Sequence, residues 1–170
     1  MKFVKVSVFA AALICANFAL TRFASAQIVA LGASNVQGYG VNSSEAWPVQ
    51  LEGILRAKGS SAHITNAGVF GDTTGQVLAR LSSAVPDGTK VVILGIGAFN
   101  DVRTGGSAGV AQANIIAIKR QLAARGIRVV DAFGTMSSVM HQPGMLQADH
   151  VHLTAEGHRR VAMQLAGSVR

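Results

Sequence analysis

A single cysteine, Cys15, occurs in the 170 residues, and it falls in a segment that reads as an export leader. Lys2 and Lys5 give that segment a positive start, Val6 to Leu20 is almost wholly apolar, and Ala24-Ser25-Ala26 is a small-x-small pattern. These are the three parts of a secretory signal peptide, with cleavage expected after Ala26. The competing reading is a membrane anchor, but the run is short of the ~20 apolar residues a span needs. The mature chain, residues 27–170, is then expected to be exported, periplasmic or secreted, with no stable membrane anchor. It contains no cysteine, which excludes disulfides, a thiolate nucleophile and a cysteine-based metal site. Its length suits one domain with one core.

Aromatic residues and charge are also scarce. There is one Trp and one Tyr, too few for a platform on which bases could stack. Losing Lys2, Lys5 and Arg22 lowers the formal net charge from +7 to +4. The surviving basic pairs, Lys119-Arg120 and Arg159-Arg160, sit in helical patterns and read as solvated faces. No nucleic-acid partner is expected.

What is present is an alternation of strand and helix signals. Gln27 to Leu31 is a short apolar run ending at Gly32, a buried-strand pattern. Ala46 to Lys58 has helical spacing, with Trp47, Leu51, Ile54 and Leu55 on one side and Gly59 as the stop. His63 to Val69 reads as a strand, Thr74 to Ala84 as a helix, and Val91 to Ile96 as the clearest strand. Ala108 to Arg125 is a long amphipathic helix closed by Gly126. Ile127 to Ala132 is a fourth strand, and Thr154 to Val169 a last helix with Val161, Met163 and Leu165 inward. Phe133 to Gln147, marked by Gly134, Pro143 and Gly144, reads as loop with at most one helical turn. Strands apolar on both faces, joined by helices, imply a mostly parallel sheet in a three-layer α/β/α sandwich.

In such a sheet, ligands bind at the carboxyl ends of the strands. Gly32-Ala33-Ser34-Asn35, Gly71-Asp72-Thr73-Thr74 and Gly97-Ala98-Phe99-Asn100-Asp101 follow three strands, and Asp149-His150-Val151-His152 precedes the last helix. These segments converge on one rim, and their residue types suit acyl transfer. A serine hydroxyl, Ser34, is a weak nucleophile until a base takes its proton. His152 is the candidate base, and Asp149, three residues before it and so on the same side one turn away, can fix its tautomer and stabilise the imidazolium. The backbone N–H of Ser34, that of Gly71 and the side-chain amide of Asn100 are candidate donors to the oxyanion. Glycine suits position 71 because no Cβ blocks the substrate.

These four blocks, in this order, resemble those of the SGNH, or GDSL-type, hydrolase family. The second block runs from Asn66 to Thr74 and the last continues to Thr154. The resemblance covers nearly all of the mature chain. It implies a flavodoxin-like sandwich and a serine esterase that works through an acyl-enzyme. Ser34, Asp149 and His152 would form the triad, and Ser34, Gly71 and Asn100 the oxyanion hole. No metal or cofactor is implied. The partner would be a small acyl ester: a short carboxylic ester, a thioester, a lysophospholipid or an acetylated sugar. Two departures stand out. Ala33 replaces the family's usual Asp before the nucleophile. Ala98-Phe99 replaces Gly-Gly before Asn100, so Phe99 becomes a candidate wall of the acyl pocket. Only 48 residues separate Asn100 from Asp149, which suggests a trimmed segment and an open, shallow site.

Other readings fit less well. The glycines around Ser34 match neither a dinucleotide fingerprint nor a Walker loop. A Gly-x-Ser-x-Gly elbow is absent, which disfavours the α/β-hydrolase fold. His150, His152 and His158 with Asp149 have no further carboxylate cluster to make a metal site. His158 reads as an exposed helix position, and His63 and His141 as surface residues. Asp72 and Asp101 are expected to brace their loops by accepting backbone N–H bonds, and Glu156 to serve the start of the last helix. A non-catalytic binding module on the same fold is the alternative from another class.

Overall fold

Successive side chains of a strand point to opposite faces of the sheet, so an uninterrupted apolar run needs helices on both sides. A computed structural model describes residues 27–169, and they form that arrangement. The expected leader, with Cys15, lies outside the described residues. Strands β1 (Gln27–Gly32), β2 (His63–Gly68), β3 (Thr89–Gly95) and β4 (Arg128–Asp131) pair in parallel in the order β2-β1-β3-β4. The helices are α1 (Ser34–Gln37), α2 (Trp47–Ala57), α3 (Thr74–Ala79), α4 (Leu81–Ala84), α5 (Phe99–Arg103), α6 (Ala108–Ala124), α7 (Phe133–Met140) and α8 (Ala155–Leu165).

One face of the sheet buries Ile28, Ala30, Ile64, Val91, Ile93 and Val130 against Trp47, Leu51 and Leu55 of α2, Met136 and Val139 of α7, and Val161 and Leu165 of α8. The other face buries Val29, Leu31, Val92 and Leu94 against Val77 of α3, Leu81 of α4, and Ile118 and Leu122 of α6. Each fully buried aliphatic side chain contributes about 1.5–3 kcal/mol. The three-layer parallel sandwich expected from the sequence is therefore the fold observed.

Several expected elements differ in detail. The helix expected over Thr74 to Ala84 is two helices, α3 and α4, broken at Arg80. The stretch expected to be loop, Phe133 to Gln147, opens with the two-turn helix α7, which buries Met136 and Val139. The last helix runs from Ala155 to Leu165, and Thr154 caps it by accepting the Gly157 N–H. Met163, expected inward, is 55% exposed.

The carboxyl ends of three strands carry a row of glycines. Gly32 pairs in register with Gly68 on one side and Gly95 on the other. A Cβ on Gly68 would lie 2.1 Å from the Gln37 nitrogen, and one on Gly32 would lie 2.3 Å from the Gly95 oxygen and 2.6 Å from Val36 Cγ2. A Cβ on Gly95 would also meet Val36 Cγ2, at 2.7 Å. The row lets α1 lie directly on the strand ends. Gly68→Ala is expected to cost about 1–3 kcal/mol through this overpacking, measured by denaturant unfolding. Gly53→Ala, in α2 with nothing within 4 Å of the added methyl, is expected to stabilise by about 0.5–1 kcal/mol.

Candidate active site

Ser34 is the first residue of α1, two positions beyond the end of β1. It is buried, and its Oγ lies 3.0 Å from His152 Nε2. The other ring nitrogen of His152 lies 2.6 Å from Asp149 Oδ2. With Nδ1–H donating to Asp149, Nε2 is left to accept the Ser34 hydroxyl proton. Asp149 Oδ1 accepts the backbone N–H groups of Val151 (2.9 Å) and His152 (3.0 Å). These bonds, led by those from His152, hold the Asp149 carboxyl well below the usual carboxylate range. It is therefore a carboxylate, able to balance an imidazolium.

Asp149 and His152 were expected to meet across one helical turn. They lie instead in a loop before α8 that turns back through His150, the one non-glycine residue with positive φ (57°) among those described. Left-handed backbone at such a residue stores roughly 1–3 kcal/mol, so the loop must be held from outside. Asn35 does this from α1. Its Nδ2 donates to the Val151 carbonyl at 3.1 Å and its Oδ1 accepts the Leu153 N–H at 2.9 Å. Gln147 adds a second tie, donating from Nε2 to the carbonyls of Tyr39 and Leu153. Neither residue was expected from the sequence to serve the site. Asn35 was visible only as the neighbour of Ser34, and a link across 118 positions leaves no local pattern.

The expected oxyanion donors lie beside Ser34. The Ser34 N–H opens α1, where helical N–H groups have no intrahelical acceptor. Gly71 has φ 79°, and a Cβ there would meet nothing within 4 Å. The backbone conformation itself favours glycine, a reason that stands beside the expected room for the substrate. Asn100, on α5, donates one amide hydrogen to the Asp72 carbonyl at 2.8 Å. That bond orients the amide and leaves its second hydrogen for another acceptor.

Two aspartates brace these loops. Arg80 donates to the Asp72 carboxylate at 2.6 Å and to the carbonyls of Gly32 and Ala67, both at 3.0 Å, tying the ends of β1 and β2 together. Asp72 thus pairs with a guanidinium where backbone N–H bonds were expected. Asp101 does accept a backbone N–H, from Thr74 at 3.0 Å, together with the Thr74 hydroxyl at 2.6 Å.

Ser34 and Asn100 stand where two cavities meet. One, of about 170 Å³, is walled by Ile96, Phe133, Met136 and Met140. The other, of about 210 Å³, is walled by Phe70, Gly71, Arg103 and His152. Phe99 and Val151 border both. Phe99 thus faces the site.

Among the described residues, no group of three or more His, Cys, Asp or Glu side chains is placed to hold a metal ion. No described helix is long and apolar enough to cross a membrane. Glu156 lies in the first turn of α8, as expected, and pairs there with Arg159 and Arg160. His63 and His141 are exposed, as expected. His158 is not. It is fully buried, and its Nδ1 accepts the backbone N–H of Trp47 at 3.3 Å.

A three-layer parallel sandwich with serine, histidine and aspartate joined at the carboxyl rim of its sheet is the architecture of the SGNH class. The chain belongs to the GDSL-like lipase/acylhydrolase family, whose family model matches residues 30–144. That stretch contains Ser34, Gly71 and Asn100 and ends before Asp149. An arylesterase of Vibrio mimicus is 33% identical over 81 residues. The match spans 47% of this chain and only 40% of the arylesterase. Among solved structures, TesA superposes with a TM-score of 0.75 at 21% identity, covering 85% of this chain and 98% of TesA. AlinE4, an SGNH-hydrolase family esterase, superposes with a TM-score of 0.64 at 28% identity, covering 85% of this chain and 95% of AlinE4.

Burial pushes the His158 pKa down from 6.5 to about 4. Between those values the unfolded chain binds the proton and the folded chain does not, so stability falls as pH drops below about 6.5. The shift corresponds to about 3 kcal/mol, fully lost below about pH 4. A plot of thermal midpoint against pH is expected to flatten over this range in His158→Gln relative to the parent chain.

Proposed function

We propose that this chain is an exported serine esterase that cleaves small acyl esters or thioesters through a Ser34–His152–Asp149 triad. The observation that carries this reading is the pair of contacts on the His152 ring, Ser34 Oγ at 3.0 Å and Asp149 Oδ2 at 2.6 Å. Family membership and the esterase relatives support the reaction class. Export rests on the leader-like residues before Gln27.

Ser34 Oγ attacks the carbonyl carbon as its proton passes to His152 Nε2. Asp149 holds the ring and balances the imidazolium. The carbonyl oxygen, now an oxyanion, accepts the N–H groups of Ser34 and Gly71 and the second amide hydrogen of Asn100. Collapse breaks the bond to the alcohol or thiol, which leaves with the proton from Nε2, and Ser34 carries the acyl group. Water then attacks the acyl carbon, giving its proton to His152 Nε2; collapse breaks the bond to Ser34 Oγ, which takes that proton back as the acid product leaves.

His152 must face the leaving group, and of these two cavities it borders the one shared with Phe70 and Gly71. The acyl group therefore takes the cavity under α7, of about 170 Å³. A cavity of about 150 Å³ holds a benzene molecule, so short or compact acyl groups fit best.

With 4-nitrophenyl acetate, Ser34→Ala is expected to lower kcat by on the order of 10⁶. Asn100→Ala is expected to lower it by about 10²–10³, the usual cost of one oxyanion donor. A fluorophosphonate probe is expected to label the parent chain and not folded Ser34→Ala. Equal labelling of both, or unchanged turnover in Ser34→Ala, would contradict the assignment.

A further inference from the structure

A second hollow adjoins the acyl cavity. It is a groove of about 390 Å³ between α6 and the ends of β3 and β4. Leu94, Ala108 and Ile115 give it apolar walls, and Gln112, Lys119 and Asp131 add polar ones. No triad residue borders it. Three residues border both hollows: Ile96, Gly97 and Phe133. Ile96 is 5% exposed, and Gly97 has no side chain. Phe133 is 45% exposed, so of the three it alone has a side chain that stands out from the common wall. Its ring lies on Gly97. A Cβ at position 97 would collide with the ring, 2.5 Å from Cζ and 3.0 Å from Cδ2.

The backbone that carries this ring is fixed from outside the acyl cavity. Phe133 opens α7, and its N–H donates to Asp131 Oδ1 at 3.0 Å. The other oxygen of Asp131 accepts Lys119 Nζ, from α6, at 3.0 Å. The N–H of Ala132 donates to the Leu94 carbonyl at 2.9 Å. The first residue of α7 is thus tied to β3 directly and to α6 through Asp131.

We propose that Phe133 is the specificity-determining end wall of the acyl cavity. It sets the longest acyl chain the enzyme accommodates, and the groove beyond it extends the cavity for an unbranched alkyl chain once the ring is shortened. The proposal rests on the esterase reading above and specifies the acyl side of that site. A cavity of ~150 Å³ holds benzene, so one of about 170 Å³ takes roughly six carbons. A longer chain meets Phe133 and leaves its end in water. Each methylene so left forgoes about a fourfold gain in binding.

The test compares the 4-nitrophenyl esters of butanoic, hexanoic and octanoic acid below their micelle concentrations. They share a leaving group, so differences in kcat/KM report the acyl chain. In the parent chain no gain is expected from hexanoate to octanoate. Phe133→Ala is expected to raise the octanoate-to-hexanoate ratio by about tenfold, close to the gain from two buried methylenes. Phe133→Leu, which keeps more of the packing, is expected to raise it in part. Adding Gln112→Trp to Phe133→Ala fills the groove from α6 and is expected to return the ratio towards the parent value. All esters are read on the same preparation, so a loss of folded enzyme cancels from the ratio. A parent chain whose kcat/KM keeps rising fourfold per methylene to octanoate overturns the proposal. So does a ratio unchanged in both Phe133 variants, or one that stays high when Gln112→Trp is added. In each of these outcomes the esterase reading stands. Absence of turnover of all three esters by the parent chain would overturn that reading and the proposal with it.

Discussion

The structure depends on the close seating of α1 on the ends of three strands. Gly68, Gly32 and Gly95 lie side by side across the sheet, and a methyl group on any of them would strike the backbone or side chains of α1 or the neighbouring strand. With no side chains there, the first turn of α1 rests on the sheet itself. That contact sets the position of Ser34 relative to every loop leaving the same edge. It also buries Ser34 while leaving its hydroxyl at the edge of two cavities.

The loops are then fastened to this floor by polar side chains. Asn35 reaches from α1 to both sides of His152, Arg80 binds the ends of β1 and β2 to Asp72, and the Asp72 carbonyl orients the amide of Asn100. Groups whose partners come from the fold are aligned before any ligand arrives, which lowers the reorganisation a reaction requires. The left-handed His150 is tolerated because Asn35 and Gln147 hold the segment after it. Aromatic surface is concentrated at the same rim, with Trp47 alone in the core.

Most of the fold was legible in the sequence because the strands are buried on both faces, and an unbroken apolar run such as Val91 to Leu94 suits a sheet covered on both sides. The rim was legible because its glycines and polar residues follow those runs directly. The misreadings have specific causes. α7 contains Gly134 and three hydroxyl residues, and its helix is supported by packing of Met136 and Val139 that no local pattern reveals. Arg80 breaks the helix expected over 74–84 at the residue that binds the ends of β1 and β2. His158 was placed outside because it is polar, although its spacing to Val161, Ala162 and Leu165 puts it on the buried side of α8; Met163 lies off that stripe. In both cases the period of the helix was the better guide than the residue type.

The proposed mechanism turns on acylation of Ser34. Rapid acid quench of the enzyme during turnover of 4-nitrophenyl acetate, followed by peptide mass spectrometry, tests it directly. One acetyl group is expected on the peptide that contains Ser34, appearing within the first turnover and absent after the ester is exhausted. Steady turnover with no acetyl on that peptide, or an acetyl group at another residue that turns over at the catalytic rate, would contradict it.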